Sequence, residues 1–187
     1  MRKLSLIILF FTAPILLFSQ AKKITDTFED AYIVSLKGDT IIGQIKTTKT
    51  KQTDFYQKIN FKDKSNKIRL YTPDKITGYW FREYYYTSAY HNNKLCYFRV
   101  LSKGKAALLE ISFSFNDAGE IVDMLDYCVI PEGKDAEMIV LEQKGLKKQL
   151  KSIFKTNKEL SRKINDQKEI LFNTETLQGY FTEFNTN

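Results

Sequence analysis

The stretch LCYFRVLSKGKAALLEISFSFNDAGEIVDMLDYCVI, Leu95–Ile130, carries the reading of the whole chain. In AALLEISFSF, Ala107, Leu109, Ile111, Phe113 and Phe115 fall on one side of an extended backbone, and Leu108, Glu110, Ser112 and Ser114 on the other. That alternation predicts a half-buried strand. Leu95–Ser102 precedes it, and the short connection Lys103-Gly104-Lys105 makes the two a β-hairpin, with Gly104 supplying the positive φ of the turn. Asn116-Asp117-Ala118-Gly119 is a second turn, Glu120–Ile130 a third strand, and Pro131-Glu132-Gly133 its stop. The stretch is a meander of three antiparallel strands.

The same devices recur upstream. In VSLKGDTIIGQI, Val34–Ile45, apolar residues alternate into and out of the turn Lys37-Gly38-Asp39, which predicts another hairpin. KINFKDKSNKIRLYT reads as two strands around the polar turn Lys62–Lys67, and Pro73-Asp74 opens a turn into KITGYWF. Past Gln143 the period changes. Leu146, Leu150, Ile153 and Phe154 form one stripe of an amphipathic helix whose other faces carry Lys147, Lys148, Lys151 and Lys155. Thr156-x-x-Glu159 resembles a capping box for a helix bearing Leu160 and Ile164, and Thr174 is placed to cap a last helix with Leu177, Phe181 and Phe184. The fold class expected is α+β: an antiparallel, curved β-sheet or partly open barrel of about eight strands, with two or three C-terminal helices.

The chain opens MRKLSLIILFFTAPILLFSQA, a basic start, an apolar run and small or polar residues, which is the pattern of a signal peptide over residues 1–19. The organisation expected is therefore signal peptide 1–19, β domain 20–143 and a helical segment 144–187 packed on it. The formal charge of +7 includes Arg2 and Lys3. What is left after their removal is moderately basic, suited to an acidic protein face, acidic glycans or anionic headgroups and not to nucleic acid. The expected location is exported, periplasmic or outer-membrane-associated or secreted. Peripheral membrane contact through the Lys144–Lys155 helix and docking of that helix on the sheet are both compatible with its pattern.

Candidate sites are few. No G-x-S-x-G, H-E-x-x-H, P-loop or G-x-G-x-x-G occurs, so the expectation is no enzyme and no cofactor. The single histidine, His91, falls in SAYHNNKL, read as a solvent-facing loop. Asp117, Glu120, Asp123 and Asp126 fit no calcium loop and read as turn and edge charges, so no metal is expected. Glu83, Glu110 and Asp126 are the carboxylates from which a glycosidase pair would have to be drawn, and nothing in the sequence spaces them. Cys96 and Cys128 both fall in strands; an exported chain can bridge them, and two inert buried thiols would read the same way. The best binding candidate is GYWFREYYYTSAY, with Tyr79, Trp80, Arg82, Tyr84, Tyr85, Tyr86 and Tyr90. Exposed, these rings make a platform for a protein or a sugar; buried, they are sheet core and cross-strand pairs.

GDTIIGQI, then LYTPDKITGYW, then FRVLSKGKAALLE, then a helical tail ending YFTEFN, resembles a group of exported Bacteroidota proteins of unknown function. The similarity runs across nearly the whole chain after the leader, in one order. The resemblance implies an envelope location, in some relatives ahead of an outer-membrane β-barrel, and supplies no catalytic residue. The function expected is a non-catalytic envelope protein that binds an envelope or outer-membrane protein. The alternative is a glycan- or small-ligand-binding domain using the Tyr79–Tyr90 cluster.

Overall fold

A computed structural model describes residues 26–131 and 137–186. The predicted signal peptide lies outside the described residues, as do Glu132 and Gly133 of the expected stop. Ten strands form one antiparallel sheet: β1 (Phe28–Ser35), β2 (Thr40–Lys46), β3 (Ile59–Asp63), β4 (Ile68–Tyr71), β5 (Ile76–Phe81), β6 (Tyr84–His91), β7 (Lys94–Ser102), β8 (Ala107–Asp117), β9 (Glu120–Ile130) and β10 (Ile139–Val140). A 3-10 helix, Gln52–Tyr56, interrupts β2 and β3, and three helices close the chain: α1 (Leu146–Ile153), α2 (Lys158–Asp166) and α3 (Thr174–Thr186). The sheet order is β10-β9-β8-β7-β6-β5-β1-β2-β3-β4, so the sheet is open, with ten strands where about eight were expected. The difference comes from short elements. β10 is a two-residue pairing at the end strand and β4 has four residues, too short for a clear period-2 signal.

One connection shows how the sheet must bend. In the sheet order β4 stands four strands from β5, a gap of about 19 Å across a flat sheet. The residues between Tyr71 and Ile76 span at most about 17 Å fully extended, and they include a turn. The sheet therefore curls, and its inner face closes over Ile33, Ile45, Ile59, Phe61, Tyr79 and Phe81, all buried, with Phe55 and Tyr56 of the 3-10 helix in the same cluster.

A second cluster lies under the helices. Leu108, Tyr127 and Val129 of the sheet meet Leu146, Leu150 and Phe154 of the α1 segment, Leu160 and Ile164 of α2, and Leu177 and Phe181 of α3. The lysine-rich helix thus buries its apolar stripe on its own chain. Because helices cover one side of β8 and the curl of the sheet buries the other, β8 is buried on both sides from Leu108 to Ser112. This corrects the half-buried strand expected from alternation. Two caps also differ from expectation. Asn157, not Thr156, caps α2 by accepting from the Leu160 amide at 3.0 Å, and Asn173, not Thr174, accepts from the Thr176 amide at 2.9 Å at the start of α3.

The β1–β2 hairpin shows what its two glycines are for. Gly38 turns the chain at φ +91°. Gly43, in β2, has no room for a side chain, because a Cβ there would run into the Lys62 carbonyl and the Phe61 ring. We expect Gly43→Ala to lower unfolding free energy by about 1–3 kcal/mol, since β3 must move to admit it. Urea denaturation checks this, and an unchanged midpoint would show that β3 is not pressed against β2 there.

Candidate functional site

The seven residues of the aromatic candidate do not share a surface. Tyr79 and Tyr86 are fully buried, directly opposite in register, and stacked with ring centroids 4.6 Å apart. The Tyr79 hydroxyl donates to the Phe55 carbonyl at 2.6 Å, and the Tyr97 ring meets Tyr79 edge-on at 5.0 Å. Tyr84 lies on the same face under the Arg99 guanidinium, 4.3 Å away. Trp80 and Tyr85 point to the opposite face, half-buried, Trp80 stacked on Tyr32 at 5.9 Å and Tyr85 beneath the Lys103 ammonium at 4.4 Å. Arg82 is exposed in the β5–β6 turn and holds Glu29 by two hydrogen bonds of 2.9 and 3.0 Å, which lowers the Glu29 pKa. Tyr90 stands exposed by itself at 66 %.

The same register places a polar network under the sheet's centre. Tyr79, Tyr86, Arg99, Glu110 and Tyr127 are successive cross-strand partners over β5 to β9 and so occupy one row on one face. Glu110, 1 % exposed, accepts from Arg99 at 2.7–2.8 Å, from the Tyr56 hydroxyl at 2.9 Å and from the Thr174 hydroxyl at 3.0 Å. The Thr174 oxygen is also 2.9 Å from that of Tyr127. A carboxylate so occupied on both oxygens is a structural tie. Two buried polar atoms nearby, the Tyr97 hydroxyl and Arg99 Nε, have no hydrogen-bond partner among the described residues.

Beyond this row β7 and β8 separate. Their ladder covers only Arg99 to Ser102 against Leu108 to Glu110, whereas β6 stays paired to β7 as far as His91–Lys94 and β8 to β9 as far as Asp117–Glu120. A cleft of about 240 Å³ opens between the two intact pairs. Its floor is Tyr56, Cys96, Ile111 and Ser112, its rim Gln57, Asn92 and Lys94, and His91 and Phe113 form a wall. His91 is therefore no solvent-facing loop residue, contrary to the sequence expectation. It ends β6 with a side chain 10 % exposed, its Nε2 3.1 Å from Asp126 Oδ2 and its ring against Phe98 and Phe113. The polar run SAYHNN hid this, because the strand reaches His91 and the turn begins only at Asn92, where φ is +49°.

A histidine held by an aspartate beside a cleft invites a search for a nucleophile. Cys96 shares the floor, but burial outweighs the pull of Lys94 and pushes its thiol up, toward the protonated form that does not attack. Ser112 lies by register on the face of β8 that carries Glu110, opposite to the face of His91. Cys128 is also a free, buried thiol, pushed up to about 12. It sits on β9 with β8 between it and the strand of Cys96, about 10 Å at the least and too far for a disulfide. Among the described residues no group of three His, Cys, Asp or Glu could hold a metal ion, and no helix is long and apolar enough to cross a membrane.

The end of the β8–β9 hairpin leaves the body of the protein. Phe115, Ile121, Val122, Met124 and Leu125 are all exposed, Ile121 at 68 %. By register Phe115 pairs with Val122 and Phe113 with Met124 on one face, while Ile121 and Leu125 take the other. β10 reaches only Cys128 and Val129, so among the described residues no strand pairs with the outer side of Glu120–Asp126. Alternation marks the strand but cannot tell an apolar face that is covered from one that is not.

Removing one partner of the central tie leaves a buried charge alone. We expect Glu110→Ala to destabilise by about 3–5 kcal/mol, and the double change Arg99→Met with Glu110→Leu to recover most of that, both measured by guanidinium unfolding. The buried hydroxyls set the alkaline limit. Burial raises the pKa values of Tyr56, Tyr79, Tyr86, Tyr97 and Cys128 above the ordinary 10.0 and 9.0. Above pH 9 the unfolded chain releases these protons and the folded chain keeps them, so stability should fall steadily as pH rises from 9 toward 12. Unfolding free energies measured from pH 7 to 11 check this; a flat profile would mean that the phenols reach water. No protein-family model, curated protein or solved structure matches this chain.

Proposed function

We propose that this chain is a non-catalytic, exported module of the cell envelope that binds an outer-membrane protein along the free edge of β9. The observation that carries the reading is the unpaired outer side of Glu120–Asp126, on a projecting hairpin whose large apolar side chains stand in water. Such an edge takes an extended segment as one more strand: main-chain bonds give affinity, and alternate side chains give selectivity. Exposed edges are normally blunted by proline, a bulge or a covering loop, and among the described residues Glu120–Asp126 has none of these, only charges set between apolar side chains. Its charge selects the partner. Glu120, Asp123 and Asp126 would oppose one another in a self-paired strand, so the fitting segment is apolar with lysine or arginine at every third position.

The leader expected at residues 1–19 and the envelope resemblance of the GDTIIGQI, LYTPDKITGYW and FRVLSKGKAALLE segments support this location. The test places a photo-activated crosslinking residue at Ile121 or Leu125, and at Lys148 on the exposed side of α1 as control, in the native host. Reproducible adducts to one outer-membrane protein from the two β9 positions, absent from Lys148 and lost in Asp123→Lys, are the expected result. A chain recovered without adducts from either β9 position overturns the proposal.

A further inference from the structure

The cleft between β7 and β8 is separate from the β9 edge and is built as a small-molecule site. We propose that it binds a small amphipathic carboxylate, an unbranched acid of about eight carbons, with the tail on the cleft floor and the head at the rim.

Rigidity comes first. The cleft is a gap between two continuous pairings, β6 with β7 and β8 with β9, so its walls keep their places without a ligand. The Tyr56 hydroxyl, fastened to Glu110, fixes the 3-10 helix against β8, and a further hydrogen bond of 3.3 Å from Ser114 to Thr53 anchors the same helix. A site that needs no ordering on binding keeps more of its contact energy as affinity.

Size comes next. A volume of about 240 Å³ is that of about eight waters at liquid density, below the range of drug-sized pockets. A short chain fits it and a nucleotide does not.

The lining decides the chemistry. Ile111, Cys96 and the ring of Tyr56 are buried floor residues that suit methylene groups, and Phe113 continues them outward. Where β7 and β8 part, their facing edges carry backbone donors and acceptors with no strand opposite, which can take a polar head. No acidic residue lines the cleft. Lys94 is its one permanently charged side chain, with the amides of Asn92 and Gln57 beside it at the rim, and Asp126 Oδ2 lies against His91 Nε2 at 3.1 Å. A carboxylate at the rim meets a cation and amide donors, whereas an ammonium there meets Lys94 and is repelled.

The measurement is titration calorimetry of the mature chain with octanoate, octan-1-ol and octylamine, each below its aggregation limit. Saturable binding of octanoate at one site, at least tenfold tighter than octanol, with none by octylamine, is the expected result. Lys94→Glu, at an exposed position, should weaken octanoate more than tenfold and leave octanol unchanged, and Ile111→Trp should remove both by filling the floor. If Ile111→Trp fails to fold, amide shifts confined on octanoate addition to the segments around Cys96, Ile111 and Phe113 serve the same purpose. Equal binding of octanoate and octylamine, indifference to Lys94→Glu, no saturable octanoate binding, or shifts elsewhere each overturn the proposal. This site stands whether or not the β9 edge takes a protein.

Discussion

A buried carboxylate has to be answered on its lone pairs, and in this fold the answers to Glu110 come from three directions. Arg99 faces it from the neighbouring strand, Tyr56 reaches it from the 3-10 helix and Thr174 from the first turn of α3. Each of those elements belongs to a different part of the molecule: Tyr56 to the aromatic cluster inside the curled sheet, α3 to the helical cluster. The two clusters share no single apolar centre, so Glu110 is where they are registered against one another. A buried pair of this kind adds little to stability compared with well-packed apolar side chains, because both charges lose their water. What it supplies is position. The 3-10 helix and α3 have one placement in which both hydroxyls meet the carboxylate, and an apolar contact would tolerate many.

That registration has consequences for the strands beyond it. β7 and β8 hold together from the Lys103-Gly104-Lys105 turn as far as Arg99 and Glu110 and no further. The turn end is held as well, since Asn185 near the end of α3 bonds both the amide and the carbonyl of Ala106 and the hydroxyl of Ser102. Past the ion pair each strand follows its other neighbour, β7 going with β6 and β8 with β9. Tyr56 lies on the floor of the resulting wedge and Gln57 at its rim. The cleft and the free hairpin arm are thus two results of one event, the end of the β7–β8 ladder.

Much of this was legible in the sequence, and the parts that were not share a cause. The meander of Leu95–Ile130, the Gly38 hairpin and the stripes of the three helices are local patterns, and each reappears at its place. Glu110 and His91 were misread because burial is not local. Alternation in AALLEISFSF locates two faces and is silent on whether a helix from seventy residues later will cover the polar one. Even so, a signal was present. Arg99 and Glu110 stand in register across a tight turn, each within an apolar run, and opposite charges so placed in a hairpin suggest a buried pair. The aromatic run failed as a surface for a simpler reason. Period 2 sends Tyr79 and Tyr86 inward and Trp80 and Tyr85 outward, so crowding in sequence became dispersal over two faces.

The distribution of exposed apolar residues follows from the same geometry. The helices reach β8 and β9 at the end near the β7–β8 turn, where Leu108, Tyr127 and Val129 are covered. The 3-10 helix reaches as far as Ser114 through Thr53. Farther out nothing in the described chain is long enough to lie over the arm, and Asp123 bonded to the Ser114 hydroxyl at 2.5 Å is the last cross-strand polar tie before the Asn116–Gly119 turn. A hairpin that served only to end the sheet could stop at Ser114 and lose no packing. This one continues with Phe115, Ile121 and Val122, whose exposure costs solubility and returns nothing to the fold. The arm therefore lies outside both buried clusters.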